Sequence, residues 1–156
     1  MRGVPNNFAT GSEISKSEPY WAVLTNDKYR KMSIDEIKTH FFEEGKSDTK
    51  ILITFAKRHN IDLHLLDTCF EIGCGIGRVT VHLAIIFNKA VGWDNAEPMI
   101  AEAKLNAVKF SCNNVTLHTV KKFTQFCELT PFGCFFSRIV LQHNPPPVAY
   151  FMLYAG

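Results

Sequence analysis

Thr68-Cys69-Phe70-Glu71-Ile72-Gly73-Cys74-Gly75-Ile76-Gly77-Arg78, followed after a helical stretch by Lys89-Ala90-Val91-Gly92-Trp93-Asp94, is the part of this chain that decides its fold. An apolar run (Leu65, Leu66, Cys69, Phe70, Ile72) leads into three closely spaced glycines. The missing side chains permit a sharp turn and close approach of a ligand to the backbone. Ile76, Val79, Leu83 and Ile86 then recur at i, i+3, i+7 and i+10, one stripe of a helix over 76–87 that can lie against a sheet. A second strand ends in Asp94, roughly 20 residues beyond the turn, where a carboxylate can accept hydrogen bonds from ribose hydroxyls. Strand, glycine turn, helix, strand and acid together make a nucleotide-binding signature.

The residue at 78 and the acid before the first glycine narrow the nucleotide. A dinucleotide fingerprint started at Gly73 requires a small residue at 78 so that helix and strand can pack closely, and this chain has Arg78. A nicotinamide-dependent dehydrogenase is therefore the weaker enzymatic reading. Glu71-Ile72-Gly73-Cys74-Gly75-Ile76-Gly77 instead resembles motif I of the class I S-adenosylmethionine-dependent methyltransferases, Glu/Asp-x-Gly-x-Gly-x-Gly. A carboxylate beside the turn suits a ligand carrying an ammonium and a sulfonium, and is unfavourable next to a diphosphate.

The resemblance extends downstream. Val91-Gly92-Trp93-Asp94-Asn95-Ala96-Glu97-Pro98-Met99-Ile100 is similar to the second motif of that family, and Phe136-Ser137-Arg138-Ile139-Val140-Leu141-Gln142-His143-Asn144-Pro145-Pro146 to the fourth strand and exit loop of one subgroup. By this resemblance Glu71 and the backbone of Gly73, Cys74, Gly75 and Gly77 hold the methionine moiety, Asp94 the ribose, and Asn95 and Met99 the adenine edge. Asn95 also stands where a helix N-cap is expected, and His143 is the candidate general base. The implied cofactor is S-adenosyl-L-methionine, the implied acceptor a small molecule, and Tyr20 with Trp21 an implied lid. Asn144-Pro145-Pro146-Pro147 also resembles the Asp/Asn-Pro-Pro-Tyr/Phe motif of amino-group methyltransferases, but Pro147 offers no aromatic face to stack on a planar amine. Lys121 and Lys122, after the third strand, and Gly133 and Cys134, before the fourth, depart from the family pattern.

Composition fits one soluble domain. At 156 residues and 46% hydrophobic content there is apolar material for a single core. Seventeen basic against fifteen acidic side chains leave a net charge of +2, with no basic block of the kind that tracks a phosphate backbone, so no nucleic-acid partner is expected. The five cysteines show no Cys-x-x-Cys, which points to reduced thiols, no metal site and a cytoplasmic location. No apolar run approaches the ~18 residues of a membrane span.

Along the chain, residues 1–18 are polar and read as a mobile arm, with 19–156 as the cofactor-binding domain. Ser33-Ile34-Asp35-Glu36 has capping-box spacing and predicts a helix through about Phe42 that stops at Gly45. Ser47 or Asp48 is then expected to cap a second helix to about His59. Strands over 65–72, 89–94, 115–120 and 135–141 alternate with helices over 76–87, 97–108, 122–128 and from about 147, which predicts an α/β, parallel-sheet fold. The resemblance makes it a Rossmann-like three-layer sandwich of strand order 3-2-1-4, without strands five to seven of the family core. The fourth strand is then an apolar edge (Phe135, Phe136, Ile139, Val140, Leu141) open to self-association or a partner. A cofactor-binding or regulatory fragment without turnover is the non-enzymatic alternative.

Overall fold

The computed structural model describes residues 34–154. The arm at 1–18, the Tyr20-Trp21 lid and the Ser33 end of the capping box lie outside the described residues. In chain order the elements are helix α1 (Ile34–Arg58), a 3-10 turn (Leu63–Leu66), β1 (Thr68–Ile72), α2 (Thr80–Ile86), β2 (Lys89–Asp94), α3 (Glu97–Lys109), β3 (Val115–Thr119), a second 3-10 segment (Phe123–Glu128), β4 (Cys134–Ser137), a third 3-10 turn (Leu141–His143) and α4 (Pro146–Tyr154). The strands form one parallel sheet in the order β3-β2-β1-β4.

Both faces of the sheet are covered, as a parallel sheet built from crossovers requires. On one face Phe70, Ile72, Val91 and Trp93 pack with Val120 and Phe126 and, from α4, Val148 and Met152. Phe70 anchors this layer, with its ring edge-on to Trp93 at 5.3 Å and stacked on Phe132 at 5.3 Å. On the other face Cys69 and Ala90 meet Leu83, Ala84 and Phe87 of the α2 region, and Cys74 and Leu117 meet Ile100, Ala103 and Ala107 of α3. Cys69 lies directly opposite Cys134 in the β1–β4 register. Helix α1 adds a layer beyond the sheet, burying Phe41 and Phe42 against Ile76, Val81, Ala96 and Met99. Removing the fully buried Phe41 ring would cost about 3–5 kcal/mol.

Three sequence expectations are corrected. The first is the break at Gly45: α1 runs continuously through it. A Cβ at Gly45 would sit 2.2 Å from the carbonyl oxygen of Arg78, so the glycine permits close approach of helix and turn rather than ending the helix. Asp48 accordingly is no cap but a mid-helix residue that reaches across to Arg78. The second concerns strand and helix starts. Leu65 and Leu66 belong to a 3-10 turn opened by Asp62, whose side chain accepts from the His64 amide at 3.0 Å, and α2 starts at Thr80 because Gly75–Val79 are spent on turns. The third is the fourth strand, which stops at Ser137. Ile139 has φ +59°, a left-handed conformation that cannot continue a strand, so Ile139, Val140 and Leu141 leave the sheet. The β4 edge is shorter than expected, and Phe135 and Phe136 are its aromatic residues.

Candidate functional site

The glycine turn is built by backbone constraint. Gly73, Gly75 and Gly77 have φ of +72°, +53° and +81°, where an L side chain is strained. The amides of Gly73 and Cys74 both donate to the carbonyl of Trp93, at 2.7 and 3.1 Å, which draws the turn onto the end of β2. Space is also limiting, since a Cβ at Gly73 would lie 2.2 Å from Cγ2 of Val140. The exit loop of β4 therefore packs directly on the first glycine.

Asp94 ends β2 and faces this turn. Its Oδ2 accepts from the Gly75 amide at 2.9 Å and its Oδ1 from the Ala96 amide at 2.9 Å. Burial pushes its pKa up, and the amides of Ala96, Gly75 and Asn95 pull it back. With three amides on it, the carboxylate keeps acceptor capacity for one further donor. Asp94 thereby does the work expected of Asn95: the N-cap position of α3 is Ala96, which has no side-chain cap, and the carboxylate two residues earlier satisfies its amide.

Glu71 is buried in β1, opposite Gly92, and its Oε2 accepts from the Thr80 hydroxyl at 2.5 Å. This bond ties the strand before the turn to the first residue of the helix after it. Burial pushes the Glu71 pKa up to about 7, against the opposing pull of the Thr80 hydroxyl and the Arg78 charge. Arg78 does not pair with Glu71. Its Nη2 donates instead to Oδ2 of Asp48 at 2.6 Å, and Nε of Arg138 reaches Oδ1 of the same carboxylate at 3.1 Å.

The remaining sequence-predicted residues divide. Cys74 is buried in the turn, and burial raises its thiol well above the ordinary value, so it is an inert packing group. Met99 is 5% exposed, packed with Phe41, Phe42 and Ile76. Asn95 is exposed beside Asp94. His143 is exposed on the third 3-10 turn, whose His143 amide donates to Val140 at 3.0 Å. Hydrogen bonds thus join Gly75 to Asp94, but among the described residues none joins the His143 ring to either.

Sequence reasoning missed Thr80, Asp48, Arg138 and Val140, all of which act through contacts distant in sequence. Among the described residues, Nε1 of Trp93 and Oγ of Ser137, on the α4-side face, are buried polar atoms without a hydrogen-bond partner. They flank Ile72 in register at the carboxyl end of the sheet. Among the described residues no cluster of His, Cys, Asp and Glu could hold a metal ion, and no helix is long and apolar enough to cross a membrane.

No family model and no curated protein matches this chain. Solved structures do. Magnesium protoporphyrin IX methyltransferase (ChlM) from Synechocystis PCC 6803 with bound S-adenosylhomocysteine superposes with a TM-score of 0.58 at 20% identity, over 92% of this chain and 66% of that one. The same enzyme with bound S-adenosylmethionine gives 0.58 at 19% identity, over 93% and 71%. Phosphoethanolamine N-methyltransferase 1 from Haemonchus contortus, in complex with phosphoethanolamine and S-adenosylhomocysteine, gives 0.64 at 15% identity, over 89% of this chain and 26% of that one. This chain thus spans about two thirds of the first of these relatives and about a quarter of the last. Sheet order, glycine turn and superposition agree: the chain has the Rossmann-like fold on which these S-adenosylmethionine-dependent methyltransferases are built.

Proposed function

We propose that the crevice bordered by Gly73–Gly77 and Asp94 binds S-adenosyl-L-methionine and that the chain serves methyl transfer to a small-molecule acceptor. The observation that carries this reading is the bond from the Gly75 amide to Asp94, which fixes the turn and the strand-end acid as one unit. That unit presents the acid at the carboxyl end of β2, where a ribose hydroxyl can donate to its remaining lone pair. A half-buried carboxylate at the end of β2, with the acid Glu71 behind the turn, favours a cationic sulfur nucleoside over a diphosphate. The donor set therefore fits the group.

When bound, S-adenosylmethionine supplies a methyl carbon activated by its sulfonium. The chain's part is alignment and exclusion of water. In this reading Glu71 and the backbone of Gly73, Cys74, Gly75 and Gly77 hold the methionine end, Asp94 the ribose, and Asn95 and Met99 the adenine edge. His143 is the base that takes the acceptor's proton. A small acceptor accords with the magnesium protoporphyrin and phosphoethanolamine named for the structural neighbours. We place the working domain in residues 19–156, in the cytoplasm. The reading's second form is cofactor binding without turnover, favoured by the exposure of His143 and the absence of a hydrogen bond from its ring to Asp94 or the turn.

The test is calorimetric titration with S-adenosylhomocysteine and, separately, NAD. S-adenosylhomocysteine is expected to bind and NAD not. Asp94→Ala should weaken binding at least about tenfold, the loss of one charge-assisted hydrogen-bonding group. Undiminished affinity in that variant removes the assignment.

A further inference from the structure

A single buried carboxylate joins three segments far apart in sequence. Asp48, on α1, is 8% exposed and accepts from Arg78 at 2.6 Å and from Arg138 at 3.1 Å. Arg78 directly follows the last glycine of the turn and is itself 4% exposed, with its guanidinium 5.7 Å from the centre of the Phe41 ring. Arg138 opens the exit loop of β4. Two residues on, Val140 packs against the α-carbon of Gly73, so the same loop touches the turn a second time. Between these anchors Ile139 is held at φ +59°, a conformation a β-branched side chain adopts only when its surroundings impose it.

The arrangement has a simple mechanical reading. The glycine turn has little side-chain material of its own with which to hold its shape, so its position depends on neighbours. Asp48 grips the turn at its far end through Arg78 and grips the exit loop through Arg138, while Val140 presses the loop onto the near end. We infer that Asp48 is a positioning residue, fixing the β4 exit loop relative to the glycine turn that borders the crevice. This rests on the cofactor reading for its functional meaning, though not for its mechanics. A charge pair of this kind is geometrically specific because one carboxylate oxygen serves each guanidinium.

Asp48→Asn leaves the buried Arg78 charge without a counter-ion and risks unfolding, so the test uses the outer arm, where Arg138 is 47% exposed. Arg138→Gln removes the grip on the loop, and Arg138→Lys keeps its charge. Hydrogen exchange of the ligand-free protein, resolved at the Gly75 and Gly77 amides, is expected to quicken in Arg138→Gln by about three- to tenfold and to return towards the original rate in Arg138→Lys. Faster exchange confined to 138–144, with the glycine amides unchanged, overturns the inference. The functional arm titrates the same variants with S-adenosylhomocysteine: Arg138→Gln should bind about three- to tenfold more weakly, with Arg138→Lys recovering most of the loss. Equal affinity in Arg138→Gln and the original chain overturns the positioning role. If the original chain fails to bind S-adenosylhomocysteine, the cofactor reading fails, while the exchange result still decides whether the clamp exists.

Discussion

Glu71 combines full burial, a hydroxyl partner and a position behind the glycine turn, and its protonation should be visible in stability. Its pKa is raised from 4.5 in the unfolded chain to about 7. The folded state therefore holds more protons than the unfolded state between those values, and stability falls as pH rises through that window. The full effect is about 3 kcal/mol, from a shift of that size. Urea denaturation at pH 5 and pH 8 should show the difference in the original chain and lose most of it in Glu71→Gln; an unchanged slope would show that Glu71 is not the titrating group. Gly73 makes a steric prediction. Gly73→Ala meets both a positive φ and Val140, and should destabilise by about 2 kcal/mol or more. Adding Val140→Ala should return the steric part and leave the backbone part, which thermal unfolding of the two variants would separate.

Helix α1 makes the corresponding case for an element. Helix propensity alone says that Gly45→Ala should stabilise a helix interior by about 1 kcal/mol. The Arg78 carbonyl 2.2 Å from the new Cβ reverses the sign, because a backbone atom cannot step aside as a side chain can. The expected result is destabilisation by about 1–3 kcal/mol in chemical denaturation, and a stabilised variant would contradict the close approach. The same residue shows what the sequence conveyed. Period and composition placed β2, β3 and α3 within a residue at each boundary, and β1 at its end though not its start, because their signals are local: apolar runs, glycine punctuation, a helical stripe. Gly45 was misread because its reason lies 33 positions away, at Arg78. The end of β4 was misread because the apolar run continues through Leu141, and nothing in it marks Ile139 as left-handed. At the candidate site, Glu71, the glycines and Asp94 stood out by motif, whereas Asp48, Thr80, Arg138 and Val140 have meaning only once the chain has folded.

At the scale of the whole fold, the sheet formed by the described residues ends in β3 on one side and β4 on the other, and β4 is short and rich in phenylalanine. Helix α4, which follows it, presents Tyr150, Leu153 and Tyr154 to solvent, with the two tyrosine rings stacked at 4.2 Å. A short apolar outer strand beside exposed aromatics favours association. Sedimentation velocity over a concentration series should show reversible self-association that weakens in a Tyr150→Ser, Tyr154→Ser double variant; a concentration-independent monomer would argue that these surfaces are inert.

Cys69 and Cys134 face each other across the seam between the central strand β1 and this outer strand. The Cys69 thiol is pushed up by its hydrogen bond to Cys134 and by burial, so both its low thiolate content and its inaccessibility protect it from alkylation in the closed sheet. A maleimide can reach it only when the packing over it opens, through loss of β4 or of the α2 layer that holds Leu83, Ala84 and Phe87. The labelling rate of Cys69, read by peptide mass spectrometry against the partly exposed Cys112, would therefore clock the opening of the sheet around β1.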